Sequence, residues 1–180
     1  LVDILSRLLT DNIDNIIDRY HTDKFIFIII IASSIIIKEV ERLIERKSDK
    51  EIYIRNGGRM NYLIKMLTEK KYKVFATDFD PSLIGRSLQG VKVESGFKTL
   101  EYIKMCDLAI ITGMTLSTNT LDNIIEVAKN NNTKLLMFAE TGANFAEEYC
   151  NIAGVDAVIS EEFPFYIFQG VSKINIYRRD

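Results

Sequence analysis

The hydrophobic pattern of the chain changes near residue 50. Before that point apolar side chains recur every three or four residues, as in Leu1 to Leu9 and Ile13 to Tyr20. This spacing predicts two short amphipathic helices. A third helix is predicted through Val40 to Ile44, where apolar and charged residues alternate at the same spacing, and it ends near Ser48. We therefore expect residues 1–50 to form a helical N-terminal extension.

From Glu51 onward, short apolar runs alternate with helix-like segments. The candidate strands are Ile52–Ile54, Lys73–Thr77, Leu108–Thr112, Lys134–Ala139, Ala157–Ser160 and Lys173–Tyr177. The helix-like segments between them are Met60–Glu69, Leu100–Lys104, Leu121–Lys129 and Phe145–Ala153. This alternation predicts an α/β domain over residues 51–180, with a mostly parallel sheet of about five or six strands and helices on both faces. Ligands of such sheets bind beyond the carboxyl ends of the strands.

An isoleucine-rich segment, Phe25 to Ile37, is the one stretch that suggests a membrane. It is shorter than the roughly 20 apolar residues that cross a bilayer, and Lys24 and Lys38 bound it closely. Its β-branched residues favour a strand, whereas the lack of a turn signal favours one long helix. We expect no membrane span, and either a central helix or a homodimer contact that includes Ile28 to Ile37.

Composition narrows the classes of function. The 23 basic and 25 acidic residues are interleaved and give a net charge of -2, so no basic surface for nucleic acid is predicted. Cys106, Cys150 and His21 are widely separated in sequence, which argues against a Cys/His metal site and leaves a carboxylate site open. Two unpaired cysteines predict buried thiols in a reducing cytoplasm.

Two loops that follow the first two predicted strands contain candidate ligand-binding residues. Asn56, Gly57 and Gly58 form a turn in which backbone N–H groups could hold an anion, although a plain tight turn is the simpler interpretation. Asp78 and Asp80 lie two residues apart after the next strand and could hold a cation or sugar hydroxyls. The alternative is a simple turn that starts a helix at Pro81.

Two further loops repeat a Thr-Gly strand ending. In the first, Thr112 and Gly113 precede a cluster of hydroxyl and amide side chains that includes Thr115, Ser117, Asn119 and Thr120. One helix cap needs one residue, so the cluster predicts a binding loop as well as a cap, with Asn119 or Thr118 as the capping residue.

In the second loop, Thr141 and Gly142 follow Glu140, a carboxylate that could act as an acid or base. Because the two Thr-Gly endings follow successive strands, we expect them to lie side by side and to hold one small ligand.

These residues resemble a known family. The runs "DFDPSLIGRSLQGVKVESG", "CDLAIITGMTLSTNTLDNIIEVAK" and "KLLMFAETGANFAEEYCNIAGVDAVIS" are similar to the C-terminal Rossmann-like domain of a heavy-metal chelation family of unknown function. The family loop Thr-Gly-x-Thr-Leu-Val-Asn-Gly-Thr corresponds to Thr112–Thr120 here, with Asn119 in place of its glycine. Glu140 and Thr141 replace a Gly-Pro pair. The resemblance implies a Rossmann-like fold and a binding edge, with a metal ion or metal chelate as ligand.

Three hypotheses follow for the function. The first is a binding protein for a small anionic ligand or metal chelate. The second is a transferase or lyase for a nucleotide-type ligand, with Asp78 on a ribose and Glu140 as acid or base. The third is a non-catalytic assembly subunit that uses the isoleucine-rich segment as its interface.

Overall fold

The computed structural model describes residues 24–45, 51–55, 60–161 and 174–179. Its helices are α1 (Lys24–Leu43), α2 (Asn61–Glu69), α3 (Thr99–Met105), α4 (Met114–Ser117), α5 (Leu121–Asn131) and α6 (Ala146–Glu148). Helix α6 continues as a π-helical turn, Tyr149–Ala153, and 3₁₀ turns lie at Gly96–Lys98 and Ala143–Phe145. The two helices predicted before Tyr20 lie outside the described residues.

The strands are β1 (Glu51–Arg55), β2 (Lys73–Asp78), β3 (Ser87–Leu88), β4 (Val91–Ser95), β5 (Leu108–Thr112), β6 (Lys134–Ala139), β7 (Ala157–Glu161) and β8 (Ile174–Arg178). They form one sheet in the order β3-β4-β2-β1-β5-β6-β7-β8. The six central strands are parallel, and β3 and β8 pair antiparallel at the two edges. Numbered along the chain, the parallel strands have the 3-2-1-4-5-6 order of a Rossmann sheet.

The predicted α/β architecture is therefore confirmed, and the sheet is larger than predicted. Strands β3 and β4 were missed because β3 has two residues and because only Val93 of β4 is fully buried, so neither forms an apolar run. Gln89 and Gly90, both with positive φ, join the two strands in a tight hairpin.

The two faces of the sheet carry separate apolar clusters. Alternate strand residues such as Ile54 and Ile110 pack with α1 and α2, whereas Tyr53 and Ile111 pack with α3, α5 and α6. This alternation reflects the two-residue period of a strand, and both faces are covered, as expected for a parallel sheet.

The isoleucine-rich segment is helical. It forms most of α1, whose Ala32, Ile36, Ile37 and Val40 side chains are buried. Ile36, Ile37 and Val40 belong to the cluster that covers one face of the sheet. Within the described ranges, no helix combines the length and hydrophobicity that a bilayer-spanning segment needs. The homodimer contact through Ile28 to Ile37 stays a prediction.

Both cysteines are buried and unpaired, as predicted. Burial raises the pKa of Cys106 to about 12, and the negative charges of Glu51 and Asp107 act in the same direction. Burial also raises the pKa of Cys150. We therefore expect neither thiol to react with Ellman's reagent in the native protein at neutral pH, and both to react in denaturant. Rapid modification without denaturant would contradict the burial of these side chains.

Candidate functional site

The order of the strands reverses between β1 and β5, and this reversal locates the candidate site. Ile54 of β1 pairs with Ala76 of β2 on one side and with Ile110 of β5 on the other. Asp78 and Thr112 lie two residues beyond these partners, so both end their strands on the sheet face that α1 and α2 cover. Open α/β sheets bind ligands at this reversal, beyond the carboxyl ends of the strands.

Thr112 has the most informative side chain at this edge. The residue is only 8% exposed, and its Oγ1 is the one buried side-chain oxygen or nitrogen in the described part of the chain that lacks a hydrogen-bond partner. An unsatisfied buried polar group costs about 1–3 kcal/mol, so native proteins rarely keep one without a reason. Because this hydroxyl lies where the strand order reverses, it can donate a hydrogen bond to a ligand or accept one.

Asp78 and Asp80 do not act as a matched pair. Asp78 is buried, and its Oδ1 accepts the backbone N–H of Asp80 at 3.0 Å. Asp80 is exposed, and its Oδ1 accepts the N–H of Ser82 at 2.8 Å. Hydrogen bonds from Ser82 lower the pKa of Asp80. Asp80 therefore stabilises the turn after β2, as the simpler sequence interpretation proposed, while Asp78 lies at the strand end.

The two Thr-Gly endings lie side by side, as predicted. A Cβ added to Gly113 would lie 2.0 Å from the carbonyl oxygen of Thr141, and one added to Gly142 would lie 2.5 Å from Leu116 and Tyr149 side-chain atoms. Gly142 also has a φ of +75°. The glycines thus let the two loops pack directly against each other. A small ligand held by both loops stays a prediction.

The hydroxyls of the Thr112–Thr120 loop mostly bind the loop itself. Thr115 is fully buried and donates to the carbonyl oxygen of Thr112 at 2.9 Å. Thr118 donates to the carbonyl oxygen of Met114 at 3.1 Å, and its Oγ1 lies 2.9 Å from that of Thr120. Ser117 is exposed at the end of α4. Thr115 therefore stabilises the loop and does not present its hydroxyl to solvent.

The sequence predicted Asn119 or Thr118 as the N-cap residue of α5, and this prediction is wrong. Thr120 occupies the N-cap position, and its side chain makes no capping hydrogen bond. Asn119, predicted as a cap, instead adopts a left-handed conformation with a φ of +51°, which asparagine tolerates better than most residues.

Of four other predicted site residues, the structure describes only Glu140. Glu140 is half-buried at the end of β6, and its carbonyl oxygen accepts the N–H of Ala143. Asn56, Gly57 and Gly58 lie outside the described residues.

One polar group beneath the edge escaped the sequence analysis. The Tyr53 hydroxyl lies 2.6 Å from Thr77 Oγ1 and donates to Thr99 Oγ1 at 2.9 Å, and Thr99 donates to the carbonyl oxygen of Gly96. All three side chains are buried. No sequence signal indicates this network, because its members come from three separate elements. It ties the end of β2 to the start of α3.

The described ranges contain no cluster of side chains typical of a protein metal site. No group of three or more His, Cys, Asp or Glu side chains there is arranged to hold a metal ion. The polar side chains that end the strands beside this reversal are instead the Thr112 hydroxyl and the Asp78 carboxylate, and α2 begins after β1 in the chain. Hydroxyl and peptide N–H groups bind anionic oxygens.

Comparison with known proteins supports the family resemblance. Residues 58–139 match the DUF364 family model, described as "Putative heavy-metal chelation". No curated protein matches the sequence. A DUF364 protein of unknown function from Pyrococcus horikoshii has the same fold, with a TM-score of 0.60 and 18% identity. That match covers 77% of this chain and 58% of the other, so this chain spans little more than half the length of that relative.

Two other solved structures are less similar. A DUF364 protein of unknown function from Desulfitobacterium hafniense has a TM-score of 0.49 and 10% identity, over 73% of this chain and 53% of its own. An NADPH-dependent glyoxylate/hydroxypyruvate reductase from Sinorhizobium meliloti has a TM-score of 0.39 and 13% identity, over 51% and 37%. The resemblance to the heavy-metal chelation family is therefore confirmed over residues 58–139, within a Rossmann-like sheet that this chain shares with a solved DUF364 protein.

Proposed function

We propose that this protein binds a small anionic molecule, or a metal held in an anionic chelate, where the strand order reverses between β1 and β5. The observation that carries the proposal is the buried hydroxyl of Thr112 at the end of β5, which has no hydrogen-bond partner among the described residues. A ligand that hydrogen-bonds this hydroxyl would remove the cost of leaving it unsatisfied. The available donors suit anionic oxygens, so any metal would enter already complexed.

A nucleotide-type ligand is the second candidate, because of the position of Asp78. This carboxylate ends β2, next to β1, which is where an acidic side chain binds ribose in dinucleotide-binding sheets. Under this alternative the protein would be a transferase or lyase, with Glu140 as its acid or base. The mass of a co-purified ligand separates a nucleotide from a smaller metabolite or a chelate.

The proposal predicts different behaviour for two substitutions of Thr112. Thr112→Val keeps the side-chain shape but removes the hydroxyl, so, once bound ligand has been removed from both proteins, the variant should unfold at the same urea concentration as wild type or a higher one. In native mass spectrometry of freshly purified protein, it should lose the bound mass that wild type carries. Thr112→Ser retains a hydroxyl and should keep that bound mass.

Two results would contradict this proposal. The first is equal occupancy by the same bound mass in Thr112→Val and wild type. The second is a clear loss of stability in ligand-free Thr112→Val relative to ligand-free wild type, since this would mean that the hydroxyl is already hydrogen-bonded within the native protein.

A further inference from the structure

Helices α2 and α5 follow β1 and β5, the two strands between which the strand order reverses, and they differ in the charge of their first turns. Met60 precedes α2 and Thr120 precedes α5, and neither side chain caps its helix. The first N–H groups of each helix therefore receive no capping bond from the residue at the N-cap position, and they carry the positive end of the helix dipole. Asp122 offsets this charge in α5, whereas the first turn of α2 contains no acidic residue.

The hydroxyl of Thr112, which has no partner in the part of the chain that the structure describes, lies on the same side of the sheet as α2. Met60, at the start of α2, belongs to the same buried cluster as Leu108 and Ile110 of β5. Thr112 follows Leu108 and Ile110 at the two-residue period of the strand, so its side chain projects from the face on which α2 packs. Helix α2 begins beyond the carboxyl end of β1, the strand that pairs with β5.

We propose that the first turn of α2 and the hydroxyl of Thr112 form the subsite for the charged group of the ligand, a phosphate or a carboxylate. This inference rests on the proposed function. It adds that the charged group of the ligand lies on the side of the site formed by α2 and β5. Asp78 lies across β1 from Thr112, so like-charge repulsion favours an anion on the β5 side of β1. The start of α5 is the rival position, and Asp122 disfavours an anion there.

A matched pair of substitutions tests this assignment. Asn61 and Asn123 are both exposed, and they lie in the first turns of α2 and α5 respectively. Asn61→Asp should preserve or slightly raise stability, because an acid suits a helix start. It should nevertheless weaken anion binding by about tenfold through charge repulsion. Asn123→Asp should leave anion binding unchanged.

The binding is measured by NMR: ¹⁵N-labelled protein is titrated with the anion, and the chemical shifts of the backbone amides are recorded. Inorganic phosphate and acetate are added in separate arms, with sodium chloride at matched ionic strength as the reference. We expect saturable shifts of the Asn61, Tyr62 and Leu63 amides in the phosphate arm, the acetate arm or both, and the responding arm identifies the charged group. Thr112→Val should weaken the same binding by about tenfold to a hundredfold.

Several results would overturn the subsite. They are shifts confined to the amides at the start of α5, a loss of binding in Asn123→Asp with none in Asn61→Asp, and the absence of any saturable shift beyond chloride. If Thr112→Val still loses its co-purified ligand while phosphate and acetate leave α2 unaffected, the proposed function stands and the α2 subsite is wrong.

Discussion

Gly113→Ala is expected to destabilise the protein by at least about 3 kcal/mol, because the added Cβ collides with backbone instead of a flexible side chain. That Cβ would lie 2.0 Å from the carbonyl oxygen of Thr141. The N–H of Gly113 also donates to the carbonyl oxygen of Phe138 at 3.0 Å, which leaves the strand ends little freedom to separate. Urea denaturation should show a lower midpoint.

Gly90→Ala is the matched control for this prediction. Gly90 has a φ of +82° and no heavy atom within 4 Å of an added Cβ, so alanine there incurs only the conformational cost of about 1–2 kcal/mol. Gly113 has a φ of -55°, and its substitution is penalised by the collision alone. A Gly113→Ala variant as stable as Gly90→Ala would show that the two loops can move apart at little cost.

Arg178→Met is expected to cost about 1–2 kcal/mol at neutral pH, because it removes one of two partners from a buried carboxylate. Glu39 of α1 is 4% exposed. Arg178 Nη2 and Nε donate to its two oxygens at 2.6 and 3.2 Å, and Arg42 Nε donates at 2.8 Å. We place the cost below that of a fully buried pair because Arg178 is nearly half-exposed.

The pH dependence of stability provides an independent measurement of this contact. Burial alone would raise the pKa of Glu39, but hydrogen bonds from Arg178 and Arg42 outweigh it and lower the pKa below the ordinary value of 4.5. A lowered carboxyl pKa contributes stability above the unfolded-state pKa, and that stability is lost as the pH falls through the folded-state value. The difference between wild type and Arg178→Met should therefore be largest near neutral pH and shrink below about pH 4.5.

Lys65→Met serves as the control for this second prediction. Lys65 and Glu69 form an exposed pair with a separation of 3.9 Å. Removing the lysine should therefore cause no measurable change in stability, either at neutral pH or below about pH 4.5. Equal effects of the two substitutions would mean that the Glu39 contact contributes no more than a solvated surface pair. A constant difference between wild type and Arg178→Met across the acid range would rule out the proposed coupling to the Glu39 carboxyl.

The sequence predicted which residues lie at the edge of the candidate site, but it did not predict which of their side-chain atoms are available to a ligand. The apolar runs predicted where β2, β5 and β6 end, and therefore where Asp78, Thr112 and Glu140 lie. It could not predict which hydroxyls are free, because hydrogen bonding depends on loop geometry. Nothing in the sequence distinguishes the hydroxyl of Thr112 from that of Thr115. The Thr115 hydroxyl donates a hydrogen bond within the loop, whereas Thr112 Oγ1 has no partner in the described part of the chain.

The sequence by itself determined the α/β class, six of the eight strands and the burial of both cysteines, because each follows from local apolar runs and their spacing. Only the tertiary structure decided which strands are neighbours, and hence that the strand order reverses between β1 and β5. It also decided that α1 is a helix, since packing of Ile36 and Val40 against the sheet overrides the strand preference of β-branched residues. The physical reason is that periodicity records which side of an element is apolar, whereas the partner that covers that side is chosen by contacts between residues far apart in the chain.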